Sequence, residues 1–187
     1  MTERDKALAG MEFIRGDKDL KKQRDRAEAL CFELNHTSPG EAEKKQEILR
    51  NLIPNTDGDC YIKSPFICEY GEYITLGKNF FANYNCKFMD GGKITFGDDV
   101  LVGPDCTFVT AVHPVDPERR KAGYQIFKPI TVGNNVWFGA GVLVCPGVTI
   151  GDNCVIGAGS VVLKDIPANS FAAGNPCKVI RKVTEGQ

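Results

Sequence analysis

A branched or aromatic apolar residue recurs at every sixth position over the last third of the chain. The series runs without a slip through Val132, Phe138, Val144, Ile150, Ile156 and Val162. A second compact side chain stands four residues after each of these, at Val136, Val142, Val148, Cys154, Ser160 and Ile166. Neither an α-helix nor an alternating strand repeats every six residues. A chain that turns a corner every six residues does, so the spacing predicts a triangular coil whose stacked turns form a parallel β-helix.

The same period extends towards the N-terminus of this segment, with one shift of register. Phe96, Val102 and Phe108 continue the series backwards, and Leu76 indicates an earlier turn of the coil. The separation of Leu76 and Phe96 is not a multiple of six, which predicts a register shift near Met89–Lys93. The fold class predicted here is mainly β: a parallel β-helix of hexapeptide repeats with a small helical N-terminal segment.

The repeat is interrupted between His113 and about Pro129. This segment is polar, charged and rich in proline, although the spacing from Phe108 to Val132 is still a multiple of six. We interpret residues 113–129 as a loop extruded from the coil. Loops that project from a rigid scaffold often carry function.

Residues 1–54 are predicted to form a helical N-terminal segment that covers the open end of the coil. Asp17 is placed to cap a first helix, and Asn35–Gly40 reads as a turn. Ser38, Pro39 and Glu41 then resemble a capping box that opens a second helix through about Leu52. Residues 55–187 are assigned to the β-helix, with the extruded loop at 113–129 and a tail at 167–187.

Composition excludes several classes of function. The net charge is −1, so no basic field is available to hold a nucleic acid. No long apolar run and no signal-peptide pattern are present, which predicts a cytoplasmic protein without a membrane partner. Eight cysteines are scattered without a Cys-x-x-Cys pair, and we expect free thiols and no metal site.

The chain has two histidines, and they differ in position. His113 lies where the repeat breaks, beside Pro114 at the root of the extruded loop. An imidazole titrates near neutrality and can take a proton from a substrate hydroxyl. Position alone leaves open a general base or a histidine that caps the loop through the backbone. His36 lies in the predicted turn and is interpreted as a solvated or locally bonded residue.

Several segments together resemble the maltose and galactoside O-acetyltransferases. They are the helical N-terminal segment and the stretches Phe80–Asn83, Thr110–Pro114, Ile130–Trp137 and Gly174–Arg181. The resemblance covers nearly the whole chain. It implies a homotrimer of left-handed β-helices, acetyl-coenzyme A as acetyl donor and active sites between neighbouring subunits.

The resemblance also implies roles for individual residues. His113 would be the catalytic base, with its second ring nitrogen held by a carbonyl or carboxylate. The acceptor would be bound by Asp17, Glu69, Asn83 and Asp90. Asp17 could equally be a helix cap, and turns favour residues such as Asn83 and Asp90 in any case. Galactoside-type members carry two acids in a row where this chain has Asp90 followed by Gly91.

A further group of residues is assigned to acetyl-coenzyme A through the same resemblance. Small residues of the coil allow the pantetheine arm to approach the backbone, and an outward tryptophan could flank that arm. Cations near the end of the coil would meet the phosphates, although such residues are often only solvated surface. The predicted cofactor-binding residues are Asn83, Trp137, Gly139, Ala140, Ala158, Leu163, Lys164, Lys178 and Arg181. Phe81 and Phe127 could line the cleft or simply pack.

The resulting prediction is an acetyl-coenzyme A-dependent O-acetyltransferase that acts on a sugar hydroxyl. A xenobiotic or other small-molecule acetyltransferase of the same fold is the alternative, although the N-terminal helices favour the sugar branch. A zinc hydratase on this coil would need three histidine ligands, and it is disfavoured because the chain has only two histidines. A non-catalytic structural or ice-binding coil would present ranks of one residue type, whereas the outward positions are interpreted as mixed.

Overall fold

The structure is a computed structural model that describes residues 1–57 and 60–183. Its helices are α1 (Glu3–Leu8), α2 (Lys18–His36), α3 (Ala42–Leu52) and α4 (Pro117–Lys121). Its strands are β1 (Phe13–Ile14), β2 (Asn55–Thr56), β3 (Cys60–Ile62), β4 (Phe66–Cys68), β5 (Ile74–Leu76), β6 (Phe80–Ala82), β7 (Cys86–Met89), β8 (Ile94–Phe96), β9 (Leu101–Val102), β10 (Thr107–Val109), β11 (Ala111–Val112), β12 (Tyr124–Phe127), β13 (Ile130–Val132), β14 (Trp137–Phe138), β15 (Leu143–Val144), β16 (Thr149–Ile150), β17 (Val155–Ile156), β18 (Val161–Val162), β19 (Ser170–Ala173) and β20 (Lys178–Lys182).

Most strands belong to three parallel sheets that the chain visits in turn. Sheet 1 contains β2, β5, β8, β13 and β16; sheet 2 contains β3, β6, β9, β14, β17, β19 and β20; sheet 3 contains β4, β7, β10, β15 and β18. Each interior strand pairs with the strands one coil above and one coil below it, and β20 alone of these strands runs antiparallel to its neighbour. The predicted fold class, a parallel β-helix, is therefore confirmed.

The hexad positions form the core of the coil. The predicted inward residues named above from Phe96 to Ile166 are all buried, whereas Val112, at the root of the loop, is half-buried. The wider end of the core is aromatic. The rings of Phe88, Phe96, Phe108 and Phe138 succeed one another with centroids 5.0–5.2 Å apart, mostly edge to face.

The register shift has a simple structural origin. Ile62, Ala82 and Val102 are paired neighbours in sheet 2, so the early coils are twenty residues long. Phe138 and Ile156 are also paired, which makes the later coils eighteen residues long. The additional residues are in the corner between sheets 3 and 1, which includes the predicted segment Met89–Lys93.

The corner between sheets 1 and 2 is fixed by a ladder of side-chain amides. Asn79, Asn135 and Asn153 have positive φ angles of 57°, 53° and 56°, a conformation that asparagine tolerates better than most residues. The Nδ2 group of Asn135 donates to Oδ1 of Asn153, and Asn153 donates in turn to Asn169, both at 3.0 Å. These two bonds follow the coil axis and join the turns that contain Asn135, Asn153 and Asn169.

From β5 to β16 the outward face of sheet 1 is uniform, contrary to the prediction of mixed outward positions, while β2 has Asn55 in this row. Thr75, Thr95, Thr131 and Thr149 stand in register on successive coils. β-branched residues suit the pleated surface of a strand, which explains the rank without a ligand. The outward positions of the other two sheets remain mixed.

Helices α2 and α3 pack on the first coils. The buried residues Ala27, Cys31 and Leu34 of α2 belong to the same apolar core as the coil. Asp17 caps α2 as predicted, because its Oδ1 accepts hydrogen bonds from the amides of Asp19 and Leu20. No helix of the described residues has the length and apolar character needed to cross a membrane.

Three boundaries predicted from the sequence are wrong. Helix α2 continues through His36, and α3 begins at Ala42 because Pro39 and Gly40 stay in the turn. Only one half of the predicted capping box forms, with the Ser38 amide donating to the Glu41 carboxylate at 3.2 Å.

At the other end, the coil does not stop near residue 167. Strand β19 adds a further parallel turn on β17, with small inward residues, Ser170 and Ala172, in place of the branched ones. The last four residues of the predicted tail, 184–187, lie outside the described residues.

The interrupted segment is also more ordered than the predicted loop. It contains α4 and β12, and β12 pairs in antiparallel fashion with β11, which lies just before the segment. Strand β12 pairs in addition with β1 from the N-terminal segment, which gives a small three-stranded sheet.

The aromatic succession predicts a strong dependence of stability on one ring. Replacing Phe108 with alanine leaves a cavity among three neighbouring rings and should lower the free energy of unfolding by about 3–5 kcal/mol. The matched control is Thr131→Ala, in the exposed row of threonines on sheet 1. This substitution should change the free energy of unfolding by less than about 1 kcal/mol. Urea unfolding at fixed protein concentration measures both. Equal losses in the two variants would contradict an inward hexad core.

Candidate active site

His113 lies one residue beyond β11, where the chain leaves the coil. Its side chain is exposed and lines a cavity of about 260 Å³ together with Glu12, Asp116, Arg119 and Gln125, among others. The root of this segment is fixed by Thr110, a buried residue whose Oγ1 donates to the Met89 carbonyl at 2.8 Å. The backbone carbonyl of Thr110 accepts the Lys128 amide at 2.9 Å and closes the segment.

The N-terminal segment supports the wall of this cavity. The Phe13 ring packs on the Phe127 ring with centroids 4.9 Å apart, and both side chains are buried. Glu12 forms an ion pair with Arg119. No local sequence pattern indicates Glu12 and Arg119, because residues this far apart in the chain give no local signal of contact.

The two histidines have different surroundings. The Nδ1 atom of His36 lies 2.8 Å from the Phe32 carbonyl and its ring stacks on Phe32, so the local interpretation of His36 is confirmed. Within the described part of the chain, neither ring nitrogen of His113 has a hydrogen-bond partner. The carbonyl or carboxylate expected to orient His113 is therefore not supplied by these residues.

Nine of the predicted site residues divide between two edges of the prism. Asn83, Gly139, Ala140 and Ala158 lie at the corner between sheets 2 and 3, and the coil of β9 separates Asn83 from Gly139. Glu69, Asp90, His113, Leu163 and Lys164 belong to the corner between sheets 3 and 1. One chain therefore does not bring Asn83 and His113 to a common edge.

The residues at the first of these edges are shaped by the stacking of coils. A Cβ atom on Gly139 would lie 2.6 Å from the Ala158 backbone nitrogen, so glycine is required there by the neighbouring turn. Asn83 is half-buried, and its Oδ1 accepts the Tyr84 amide at 2.9 Å. Its Nδ2 group has no bond among the described residues and is available to a ligand.

The other predicted cofactor residues are accessible. Trp137 is 55% exposed on the outer face of sheet 2, between Leu101 and Val155 of the adjacent coils. Leu163 and Lys164 are exposed on the second edge. Lys178 and Arg181 are exposed on β20, where the Arg181 guanidinium lies 5.1 Å from the Phe171 ring centroid.

Asp90 is enclosed by backbone and has no exposed surface. Its Oδ1 accepts the amides of Glu69 and Tyr70 at 2.9 Å, and Oδ2 accepts the Tyr73 amide at 3.3 Å. Burial raises the pKa of Asp90 to about 7, against the opposing effect of these amides. The geometry favours a residue that shapes the 69–73 corner over one that contacts an acceptor.

Glu69 is the acid of this corner that faces outward. It is half-buried, its carboxylate has no hydrogen-bond partner in the described chain, and burial raises its pKa, an effect reduced by the charge of Arg24. Arg24 is held in turn by a hydrogen bond of 2.8 Å from its Nη1 to the Tyr70 hydroxyl.

Gly91 leaves room for the ring of Phe127. A Cβ atom at position 91 would lie 2.2 Å from Cε1 of that ring, and the ring is fixed by Phe13. The chain therefore has no space for a second acid after Asp90. Phe127 packs and does not line a cleft, while Phe81 stacks on Tyr61 with centroids 6.0 Å apart.

Another cavity, of about 350 Å³, lies between the α2–α3 turn and the first coil. It is lined by residues such as Pro39, Lys45, Tyr61 and Lys63, and it contains no histidine and no predicted site residue. Among the described residues, no three His, Cys, Asp or Glu side chains are grouped so that they could hold a metal ion.

Comparisons with known proteins agree with this architecture. Residues 129–164 match the model of the bacterial transferase hexapeptide (six repeats), and residues 6–58 match that of the maltose acetyltransferase hexapeptide capping motif. A galactoside acetyltransferase in complex with coenzyme A is 42% identical, with a TM-score of 0.95 over 99% of this chain and 92% of that one.

Two further solved structures are similar. A maltose O-acetyltransferase from Clostridium difficile 630 is 46% identical, with a TM-score of 0.96 over 99% of each chain. A hexapeptide-repeat acetyltransferase of Vibrio cholerae complexed with acetyl-coenzyme A is 35% identical, with a TM-score of 0.90 over 99% of this chain and 100% of that one. The fold and these identities define a hexapeptide-repeat acetyltransferase. Within that class, the chain belongs to the maltose and galactoside O-acetyltransferase family.

The contact between Gly91 and Phe127 gives a testable prediction. Gly91→Ala forces a buried ring to move and should lower the free energy of unfolding by about 1–3 kcal/mol. Gly40→Ala is the matched control, because a Cβ atom there meets nothing within 4 Å. Urea unfolding is measured for Gly91→Ala, Gly40→Ala, Phe127→Ala and the double variant Gly91→Ala/Phe127→Ala. The double variant gives the coupling free energy between positions 91 and 127. Additive losses in the double variant would show that the ring does not occupy the space above Gly91.

Proposed function

We propose that this protein transfers the acetyl group of acetyl-coenzyme A to a hydroxyl group of a sugar, with His113 as the general base. The observation that carries the proposal is an exposed imidazole, free of hydrogen-bond partners in the described chain, at the point where the coil is interrupted. Similar proteins solved with coenzyme A and with acetyl-coenzyme A support the choice of donor.

Acetyl transfer from a thioester to a hydroxyl requires mainly a base and the correct alignment of the two substrates. Acetyl-coenzyme A supplies an acetyl thioester that a hydroxyl oxygen can attack. His113 accepts the hydroxyl proton as the new C–O bond forms, and later returns it to the departing thiolate sulfur. Holding both substrates in line supplies much of the rate. The Nδ2 group of Asn83 is the proposed hydrogen-bond donor to the developing oxyanion.

The separation of Asn83 and His113 supports a homotrimer with sites between subunits. Because they lie on different edges of one prism, a site that uses both residues needs the edges of two neighbouring chains. A ring of three prisms makes this contact three times. The missing partner of the second His113 ring nitrogen would then come from the adjacent protomer or from the substrate.

The remaining residues are assigned on exposure and position. Trp137, Ala140, Ala158 and Leu163, with the backbone at Gly139, would flank the pantetheine arm. The cations Lys164, Lys178 and Arg181 would meet the phosphates, since charge-assisted bonds to phosphate are strong.

The acceptor would meet Glu69 and Asn83. Asp17 has one oxygen engaged in the cap of α2 and could offer the other. Asp90 is proposed to position Glu69 through its amide bonds. Since Gly91 offers no carboxylate, the proposed acceptor contacts differ from those of members with two acids in a row.

Removing the His113 imidazole tests the proposal. His113→Ala should reduce acetyl transfer by about 10²–10⁴-fold, because the hydroxyl loses its base. Release of coenzyme A from acetyl-coenzyme A is followed with a thiol reagent, with maltose, glucose, galactosides or chloramphenicol as the acceptor. His36→Ala is the matched control and should retain full activity.

The melting temperature and oligomeric state of His113→Ala should equal those of the native protein, because the side chain is exposed and unpaired. Full activity in this variant would overturn the assignment of the base. Turnover with chloramphenicol but with no sugar would establish the alternative, a xenobiotic acetyltransferase. A protein that releases no coenzyme A with any hydroxyl acceptor would contradict the enzymatic function.

A further inference from the structure

Two buried thiols face each other across the contact between the helical segment and the coil. Cys31 lies in α2 and Cys68 ends strand β4, and their Sγ atoms are 3.7 Å apart. Each residue is only about 6% exposed. The two positions are far apart in sequence, so the contact depends on the docking of α2 on the first coil.

Other buried thiols of the chain are arranged differently. The Sγ atoms of Cys86 and Cys106 point to the backbone carbonyls of Gly103 and Gly139, at 3.3 and 3.1 Å. Those two thiols are satisfied by the backbone. Cys31 and Cys68 are satisfied by each other, and sulfur–sulfur contact of this kind precedes disulfide formation.

We propose that Cys31 and Cys68 form a reversible disulfide when the folded protein meets a peroxide, and that this modification ties helix α2 to the coil. The inference does not depend on the proposed enzymatic function. The sulfur atoms must approach by about 1.7 Å to reach a bonding distance. Side-chain rotation of two unbranched residues supplies a movement of this size more readily than backbone rearrangement.

The reaction balances without any further reactant. The Cys31 thiolate attacks one peroxide oxygen, the O–O bond breaks, and a sulfenic acid and hydroxide form. The Cys68 sulfur then attacks the Cys31 sulfur, the S–O bond breaks, and the second oxygen leaves as water with the thiol proton. In sum, two thiols and one hydrogen peroxide give one disulfide and two waters, and a dithiol reductant reverses the change.

The local electrostatics identify the attacking sulfur. The hydrogen bond between the two sulfur atoms lowers the pKa of Cys31, while the same bond and burial raise the pKa of Cys68. We therefore assign Cys31, the more acidic of the two, as the attacking sulfur and Cys68 as the resolving thiol.

The location gives the bond a structural consequence. Cys68 immediately precedes Glu69 and Tyr70, whose amides bind Asp90, and Tyr70 also accepts a bond from Arg24 of α2. A disulfide at this point joins α2 to the 69–73 corner of the coil. Closing a loop through α3 and the first coil also restricts the unfolded chain.

Peptide mapping of the full-length native protein tests the proposal. The protein is treated with hydrogen peroxide, free thiols are alkylated, and the digest is analysed without reduction. We expect a linked peptide containing Cys31 and Cys68, a chain lighter by two hydrogen atoms, and a melting temperature raised by several degrees. Dithiothreitol should abolish all three changes.

Matched variants separate the proposal from general oxidation. Cys145→Ser removes a half-buried thiol elsewhere and should behave as the native protein, whereas Cys31→Ser and Cys68→Ser should give neither the linked peptide nor the rise in melting temperature. If either serine variant does not fold, mapping of the native protein and of Cys145→Ser still decides the matter. Oxidation confined to Cys145 and Cys177, or a link that forms only in denaturant, would overturn it.

Discussion

The structure depends on the stacking of one coil on the next. Backbone hydrogen bonds join each strand to the strands above and below it, and an apolar side chain at every hexad position fills the interior. Every corner residue is therefore held at a fixed place on one of three edges. The position of a catalytic or ligand-binding side chain is therefore set by its place in the repeat.

That rigidity explains which features could be predicted from the sequence. The period of six is a matter of local spacing, so the apolar residues from Val132 to Val162 were enough to predict the coil. The start of α2 was likewise predicted from a local signal, the helix cap Asp17. Features that depend on distant residues could not be predicted. The pairing of β1 with β12, the burial of Asp90 under three amides and the packing of Phe127 above Gly91 each join segments with no local signal. Strand β19 was missed because alanine and serine replaced the usual branched residues.

The candidate site also combines features that the sequence predicts with features that only the structure shows. The sequence placed His113 at the break in the repeat, and the structure places it, exposed, beside a cavity. It also separates His113 from Asn83 by a full face of the prism, which no pattern in the sequence indicates. If catalysis uses both residues, the fold must be completed by a neighbouring copy. The coil then serves as a spacer that sets the distance between two half-sites.

Mixed trimers test this central claim most directly. His113→Ala and Asn83→Ala chains, each expected to be nearly inactive alone, are co-refolded in equal amounts and assayed for acetyl transfer. If each site takes His113 from one protomer and Asn83 from its neighbour, about a quarter of the sites regain both residues, and activity returns in that proportion. Mixtures as inactive as the separate variants, despite proven exchange of subunits, would contradict an active site shared between protomers.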